Sequence, residues 1–339
     1  MRINQKTLAQ KLGVSQMTVS KALRGEPDIS EKTIRKVNEA AKSLGYRVNR
    51  MARGLADGKS GIIGAMMLRS RGYFYSILWD TIEDEIIAAG FIPLIIRLGY
   101  NDIADDMIIE RFTQYHPEGL IVCPRSREWM KDFFSNCIKS GQPVIFLGDS
   151  CVPKARKVYS TGYDGALKAV KYLISLGHEK IAIVTAAENP ESKHNSVRED
   201  GYRQALKESG IPFNKNYYVR ISRDDEFPER VVEALVMCPE ITAVFCVKDV
   251  FAVETCLAAK KIGLKVPDQL SVMGFSNDLL FPDHLEVPLT TMAHDPQAIG
   301  KALVGNLLKM MKGERVSENT QIEDHLIIRK STQLLKSKP

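Results

Sequence analysis

The sequence predicts an α/β protein in which a small helical N-terminal segment precedes two lobes, each built on a doubly wound parallel sheet. From residue 61 onward, short apolar runs alternate with helical patterns, and the alternation starts again near residue 162. A second observation is that the basic excess of the chain lies entirely before residue 61. The chain has 339 residues, more than the roughly 100–200 of one domain, so we expect two or three folded units.

The N-terminal segment has the spacing of a helix-turn-helix. Thr7 is predicted to cap a first short helix that ends at Gly13. Ser15 is predicted to cap a second helix over residues 16–23, and Ser30 a third over residues 31–44. In each helix the apolar residues recur at steps of three or four, which predicts one small core.

The second predicted helix carries residue types that contact DNA. In a helix-turn-helix this helix enters the major groove. Gln can pair with adenine, Lys can donate to guanine and Met can contact a thymine methyl, whereas hydroxyl groups suit phosphates. We expect base contacts from Gln16, Met17 and Lys21, phosphate contacts from Ser15, Thr18 and Ser20, and a further DNA contact from Thr7. The alternative is a three-helix bundle used for other purposes, because any such bundle shows this periodicity.

Charge separates this head from the rest of the chain. Residues 1–60 hold 13 Lys and Arg against 5 Asp and Glu, a net charge of +8. Residues 61–339 hold 34 against 36, a net charge of −2. A basic head on a slightly acidic body is typical of nucleic-acid binding, although a solvated basic arm gives the same count.

Three motifs carry a family resemblance. They are TLAQKLGVSQMTVSKALRG, then KVNEAAKSLGY, then N-x-x-A-R-x-L shortly before an apolar strand. With them the chain resembles the lactose-repressor (LacI) family of bacterial transcription regulators. The resemblance implies a hinge helix that orders on operator DNA, with Asn49, Ala52 and Arg53 in it and Leu55 as a wedge in the minor groove. Val48 departs from the proline usual there, and Leu55 by itself would also suit packing.

The body shows two series of α/β units. Strands are predicted over residues 61–68, 91–97, 118–123 and 143–148, with helices over 76–89, 102–115 and 128–140. The second series has helices over 164–176, 198–209, 228–237 and 250–262 and strands over 180–185, 217–221, 241–247 and 270–275. Open parallel sheets bind ligands beyond the carboxyl ends of their strands, so two facing lobes predict a small-molecule site in the cleft between them.

The resemblance extends through the body, which looks like a periplasmic-sugar-binding-type core. Its motifs include GYDGALKAVKYLISLG, R-x-x-G-Y, TAVFCVKD and GLKVPDQLSVMGFSND. The implied domains are a head over 1–46, a hinge helix and linker over 47–60, and two lobes that each take two pieces of chain. The first lobe is 61–160 plus about 292–322, and the second is 161–291 plus about 323–339.

The resemblance also implies which residues bind an effector: Tyr73, Phe74, Asp149, His194, Arg198, Asp249, Ser276 and Asn277. Aromatic rings can stack on a sugar or a nucleobase, while Arg and Asp form directed hydrogen bonds. Ser276 stands where most members carry an effector-binding aspartate, so the hydrogen-bond pattern of the effector should differ. Asp324 replaces a common proline in the closing strand. As alternatives, Arg198 and Asp249 could be helix caps or lobe-bridging residues, and Tyr73 and Phe74 a dimer contact.

Other classes of protein lack support in the sequence. The chain has no apolar stretch of roughly 20 residues, no secretory signal and no Cys-x-x-Cys pair, so we expect a cytoplasmic protein with reduced thiols. Motifs for nucleotide cofactors, P-loops, hydrolases and zinc proteases are absent and the six histidines are dispersed, so we expect neither catalysis nor a cofactor nor a metal. The rivals are a two-lobed enzyme or binding protein and a nonspecific DNA-binding protein.

Together these features predict a regulator, most simply a repressor, that binds a pseudopalindromic operator as a homodimer and responds to a small effector. A sugar, a sugar phosphate and a nucleobase all remain open as effectors, as does the sign of their effect. The sequence ends without a long heptad tail, which favours a dimer over a coiled-coil tetramer.

Overall fold

The structure is a computed structural model. It describes residues 4–46, 59–68, 72–98, 102–123, 128–148, 150, 152–186, 194–221 and 227–335. The chain forms two compact units, Met1–Gly61 and Ile62–Pro339. The predicted hinge helix lies outside the described residues.

The first unit is a three-helix head. Its helices are α1 (Gln5–Leu12), α2 (Gln16–Arg24) and α3 (Glu31–Ser43). They enclose a small apolar core in which Leu8, Val19 and Val37 are fully buried. Ser15 and Ser30 cap α2 and α3 as predicted, and Gly13 ends α1 with a φ of 68°, a left-handed conformation that favours glycine.

The predicted cap of α1 is wrong. Asn4 caps this helix, and Thr7 lies inside its first turn, where the Thr7 backbone N–H donates to the Asn4 side-chain oxygen at 2.9 Å. Asn accepts this bond as well as Thr does, so the helix begins one turn earlier than the Thr7 position indicates.

The first lobe of the second unit is a six-stranded parallel sheet. Its strands are β1 (Ile62–Leu68), β2 (Ile92–Leu98), β3 (Gly119–Val122), β4 (Val144–Leu147), β5 (Arg156–Tyr159) and β11 (Asn319–Gln321), in the spatial order β11-β5-β4-β3-β1-β2. Its helices are α4 (Tyr73–Ala88), α5 (Asp102–Thr113), α6 (Glu128–Lys139) and α11 (Pro296–Met311). The central strands β1, β3 and β4 are apolar throughout because helices cover both faces of the sheet.

The second lobe repeats this architecture. Its strands are β6 (Ile181–Ala186), β7 (Tyr218–Ile221), β8 (Ala243–Cys246), β9 (Ser271–Ser276), β10 (Thr290–Ala293) and β12 (His325–Ile327), in the order β12-β10-β9-β8-β6-β7. Only β12 runs antiparallel to its neighbour among the described strands. The helices are α7 (Gly162–Ser175), α8 (His194–Glu208), α9 (Phe227–Met237) and α10 (Asp249–Lys261).

The chain passes between the lobes three times. We name these passages the crossover segments: residues 160–161 between β5 and α7, 294–295 between β10 and α11, and 322–324 between β11 and β12. The two lobes can therefore turn relative to one another only about these short segments.

Two parallel α/β lobes behind a helix-turn-helix are confirmed. Three strands and one helix were not predicted, namely β5, β10, β11 and α11. The short strands give too few residues for a periodic signal, and β5, with the sequence Arg-Lys-Val-Tyr, has charged residues where a buried strand is normally apolar. Helix α8 begins four residues before its predicted start.

Candidate DNA-binding and ligand-binding sites

The N-terminal end of α2 presents side chains to solvent. Ser15 caps it, with its Oγ accepting from the Thr18 backbone N–H at 3.0 Å and lying 2.8 Å from the Thr18 hydroxyl. Gln16 and Met17 follow and are exposed, Met17 with 70% of its surface accessible. Val19, on the opposite face, is fully buried. One face of α2 thus packs in the core of the head, and the opposite face is exposed to solvent.

Lys21 and Ser20, two further predicted DNA contacts, also have internal partners. The Lys21 ammonium group is hydrogen-bonded to Asp28, which raises the pKa of Lys21, and lies 3.8 Å from a Glu26 carboxylate oxygen. Arg24 donates to Glu26 at 2.5 Å and to the Ser20 hydroxyl at 2.8 Å. A DNA contact by Lys21 or Ser20 can therefore use the donors that these contacts leave, the remaining N–H groups of the ammonium and the O–H of Ser20.

Several predicted site residues are not described. Asn49, Ala52, Arg53, Leu55 and Asp149 lie outside the described residues, as does the side chain of His194.

Helix α4 of the first lobe begins against a carboxylate of the second lobe. Its N-cap is Gly72, which offers no side-chain acceptor. Instead Asp278, just after β9, accepts the Phe74 backbone N–H at 2.6 Å. Tyr73 is 38% exposed, and the Phe74 ring packs edge-on against His294 with the ring centres 5.4 Å apart. Phe74 is thus placed between the lobes.

Arg198 of α8 is the buried cation of the inter-lobe region. Its Nη1 donates to the Val247 carbonyl at 2.5 Å, and its Nη2 lies 3.3 Å from both the Ser276 hydroxyl and His294 Nε2. The guanidinium lies over the Phe275 ring, 4.1 Å from its centre. Burial lowers the pKa of Arg198 to about 10, so it stays a cation at neutral pH.

Asp249, at the start of α10, has its hydrogen bonds inside the second lobe. Its carboxylate accepts the Asp278 backbone N–H at 2.7 Å and the Thr291 hydroxyl at 2.5 Å. Only 2% of the residue is exposed, and burial raises the pKa of this carboxyl. These contacts tie α10 to β10 and to the residues after β9, all within the second lobe, so they are not the lobe-bridging alternative.

Ser276 and Asn277 adopt positive φ values of 103° and 52° at the end of β9. Ser276 faces Arg198, as the predicted effector site requires. Asn277 instead accepts from Arg329 at 3.3 Å. The same turn places Asp278 against α4, and burial raises the pKa of Asp278.

Three polar residues of the crossover segments form a cluster. His294 Nδ1 lies 2.7 Å from an Asp324 oxygen and 3.0 Å from the Ser160 hydroxyl, which also donates to Asp324. Each residue belongs to a different crossover segment, and His294 Nε2 contacts Arg198. Sequence reasoning assigned no role to Ser160, His294 or Asp278, because a lone residue in a connecting segment carries no periodic signal.

The arrangement offers a cation, hydroxyl groups and aromatic faces, which suit recognition of a small polar molecule. No group of three or more His, Cys, Asp and Glu within the described ranges is placed to hold a metal ion. None of the described helices combines the length and apolar character needed to cross a membrane.

Two family models match the chain. Residues 6–49 match bacterial regulatory proteins of the lacI family, and residues 170–332 match a periplasmic binding protein-like domain. The lac repressor dimer bound to operator and the anti-inducer ONPF has a similar fold, with a TM-score of 0.83, 22% identity, and coverage of 98% of this chain and 100% of that one. A CelR–cellobiose complex has a TM-score of 0.69 at 22% identity, with coverage of 97% and 100%.

Curated relatives are similar over nearly the whole chain. The probable repressor ExuR of Bacillus subtilis (strain 168) is 30% identical over 326 residues, which are 93% of this chain and 95% of that protein. The repressor CytR of Escherichia coli (strain K12) is 29% identical, with coverage of 97% and 96%. The extent of these matches, the motifs of the head and the two-lobed fold all indicate the same family. The chain belongs to the LacI family of bacterial transcription regulators, which combine a DNA-binding head with an effector-binding core.

Proposed function

We propose that the chain is a repressor that binds a pseudopalindromic operator as a homodimer and is switched by a small metabolite between the lobes. The observation that carries the proposal is the capped end of α2, with Gln16 and Met17 exposed on a segment of net charge +8. A helix end of this kind can enter a major groove, and basic surroundings add sequence-independent attraction to phosphates. The names of the relatives, repressors of transcription, support the same role.

The second lobe has apolar side chains that support a homodimer. Val250 and Leu257 lie on α10 and are 51% and 54% exposed, and Leu280 and Phe281 follow β9 at 67% and 66%. Large apolar side chains that are exposed on a lobe favour a protein contact. A second copy of the chain is the partner we propose, because two heads related by two-fold symmetry fit a pseudopalindrome.

A sugar or related metabolite is the proposed effector. Arg198, Ser276 and the Phe74 ring supply a cation, a hydroxyl and an aromatic surface at the lobe interface. A structure with a similar fold is described with cellobiose and another with ribose. These names support a sugar as the first candidate, and a sugar phosphate and a nucleobase are the alternatives.

The DNA-binding part is tested by selection from a random duplex library with the full chain at near-physiological salt. We expect a two-fold symmetric motif, and an affinity that falls steeply with salt. Gln16→Ala should relax one position of each half-site by about 1–3 kcal/mol, and Met17→Ala should relax another position. Asn38→Ala, an exposed neutral change on α3, should leave the motif intact. No motif, with or without candidate effectors, would contradict the proposal.

The proposed hinge is tested on the same motif. Leu55→Ala should weaken binding to the selected operator more than binding to unrelated DNA, because a wedge acts only where the DNA is kinked. Equal losses on both DNAs would refute the wedge.

The effector part is tested with a panel of neutral sugars, sugar phosphates, nucleosides and nucleobases. Each compound is scored by the change in melting temperature and in operator affinity. We expect at least one compound to change both, and Arg198→Met to weaken both effects. The direction of the change in operator affinity distinguishes an inducer from a corepressor, because the coupling between the two ligands is reciprocal.

A further inference from the structure

The Ser160–His294–Asp324 cluster joins the three passages of chain between the lobes at one point. His294 is at its centre, with Nδ1 bonded to Asp324 at 2.7 Å and to Ser160 at 3.0 Å. Its other nitrogen, Nε2, lies 3.3 Å from Arg198 Nη2. One imidazole therefore connects the crossover segments with the buried cation of the proposed effector site.

The partners of the ring determine its tautomer. Arginine has only N–H donors and no acceptor, so His294 Nε2 must accept from Arg198. The ring proton then resides on Nδ1, where it is donated to the Asp324 carboxylate. The result is a directed chain in which Arg198 donates to His294 and His294 donates to Asp324.

Among the described residues, no carboxylate forms a direct hydrogen bond or salt bridge with Arg198. Ser276, which faces the guanidinium, supplies only a hydroxyl. Asp324 is 8% exposed and one of its oxygens, Oδ2, has no hydrogen-bond partner, so its charge remains available to a nearby cation. Asp324 thus supplies a counter-charge to Arg198 through the imidazole.

Packing fixes these side chains in place. A Cβ atom on Gly165 would approach Asp324 Oδ2 to 2.5 Å, so α7 lies against the carboxylate. The His294 ring is held between Phe74 and Phe275, whose ring centres are each 5.4 Å away. These aromatic residues come from opposite lobes, so a rotation of the lobes must disturb the ring.

We propose that His294 and Asp324 are positioning residues for Arg198, which orient its guanidinium and link a ligand bound there to the crossover segments. This inference rests on the proposed function, since it assigns the coupling pathway of the same effector site. A ligand group that binds Arg198 competes with His294 Nε2 for its donors. When that bond is lost, the His294 imidazole has one partner fewer. His294 itself lies in a crossover segment, about which the lobes turn.

The tautomer gives a test that needs no effector. The full chain is labelled with ¹⁵N at histidine, and the His294 signals are assigned by their loss in His294→Gln. We expect the wild-type ring to carry its proton on Nδ1 and to leave Nε2 unprotonated, because Nε2 accepts from Arg198. A ring protonated on Nε2 would overturn the proposal, because Arg198 would then face a donor.

The coupling is tested with the compound that gives the largest melting shift in the panel. Asp324→Asn keeps the size of the side chain and removes its charge, and should weaken binding of that compound about tenfold, the effect of one charge-assisted hydrogen bond. The matched control is Glu323→Gln on the same segment, whose carboxylate is exposed and pairs only with Lys168 at 3.3 Å among the described residues. The control should bind the compound as the wild type does.

A double-mutant cycle separates positioning from general stability. In the Arg198→Met background, Asp324→Asn should have no further effect on compound binding, because Asp324 acts through Arg198. Additive effects in the cycle, or equal effects of Asp324→Asn and Glu323→Gln, would overturn the proposal. If the wild type selects no operator, the proposed function is contradicted instead. The tautomer of His294 then still tests the positioning role, because that measurement needs no operator.

Discussion

Replacing Asp278 provides a direct test of how the lobes are held together. Its carboxylate accepts the Phe74 N–H at 2.6 Å at the start of α4, a helix whose own N-cap, Gly72, has no side-chain acceptor. Asp278→Ala removes this cap. A lost N-cap costs about 0.5–2 kcal/mol and a lost charge near a helix N-terminus about 0.3–1 kcal/mol.

Burial offsets part of this stabilisation. It raises the pKa of Asp278, which means that the folded protein disfavours the charged form. We therefore expect a net loss of about 1–2 kcal/mol for Asp278→Ala, within the range for one cap. Asp278→Asn should cost less, because its amide oxygen still accepts the Phe74 N–H without burying a charge.

Hydrogen exchange at the Phe74 amide measures this contact. A loss of about 1.4 kcal/mol should speed exchange at this amide about tenfold in Asp278→Ala, and clearly less in Asp278→Asn. Asp283→Ala is the control, since it removes an exposed carboxylate nearby in sequence that pairs with Arg329 at 2.5 Å. Unchanged exchange at Phe74 in Asp278→Ala would refute the inter-lobe cap.

Three further predictions concern the head, the surface and pH. Ser15→Ala should destabilise α2 by about 1 kcal/mol, because the Thr18 N–H loses its acceptor, and exchange at the Thr18 amide should quicken; unchanged exchange would count against the cap. Phe281→Asp should shift the chain toward monomer in sedimentation, because it puts a charge on the proposed contact surface; a wild type that is itself monomeric would remove the basis for this surface. Burial raises the pKa of the Asp249 carboxyl in the folded protein above its ordinary 3.8. The protonated carboxyl therefore stabilises the fold at low pH, and this stabilisation is lost as the pH rises from about 3.8 through the raised pKa. Urea unfolding of Asp249→Asn across this range should show a smaller fall with pH than the wild type, and parallel curves would contradict the assignment.

Regular elements were predictable where their pattern was long. The first strand, with the residues Ile62–Leu68, was expected within one residue because seven consecutive apolar or small residues fit a strand covered on both faces. The start of α8 was missed because its first turn, His-Asn-Ser-Val, is polar and resembles a connecting segment. Thr7 was misplaced because Asn4 is an equally good cap one turn earlier.

The site was predictable only in part. Arg198 and Ser276 were expected on family resemblance, and the structure brings them together. Asp278 was not expected, because its partner, the Phe74 backbone N–H, is 204 residues away in sequence and belongs to the other lobe. The binding role of every predicted site residue remains a prediction, and for Asn49, Ala52, Arg53, Leu55 and Asp149 the placement does as well.

The sequence by itself determined most of the helices and strands, the basic charge of the head and the exposed residue types on α2, because these depend on local periodicity, caps and charge count. Only the tertiary structure decided which polar residues meet between the lobes. Ser160, His294 and Asp324 come from three distant segments, and nothing local in any of them marks the other two. Their contact exists because the chain crosses between the lobes three times at one place, and that packing is a property of the whole fold.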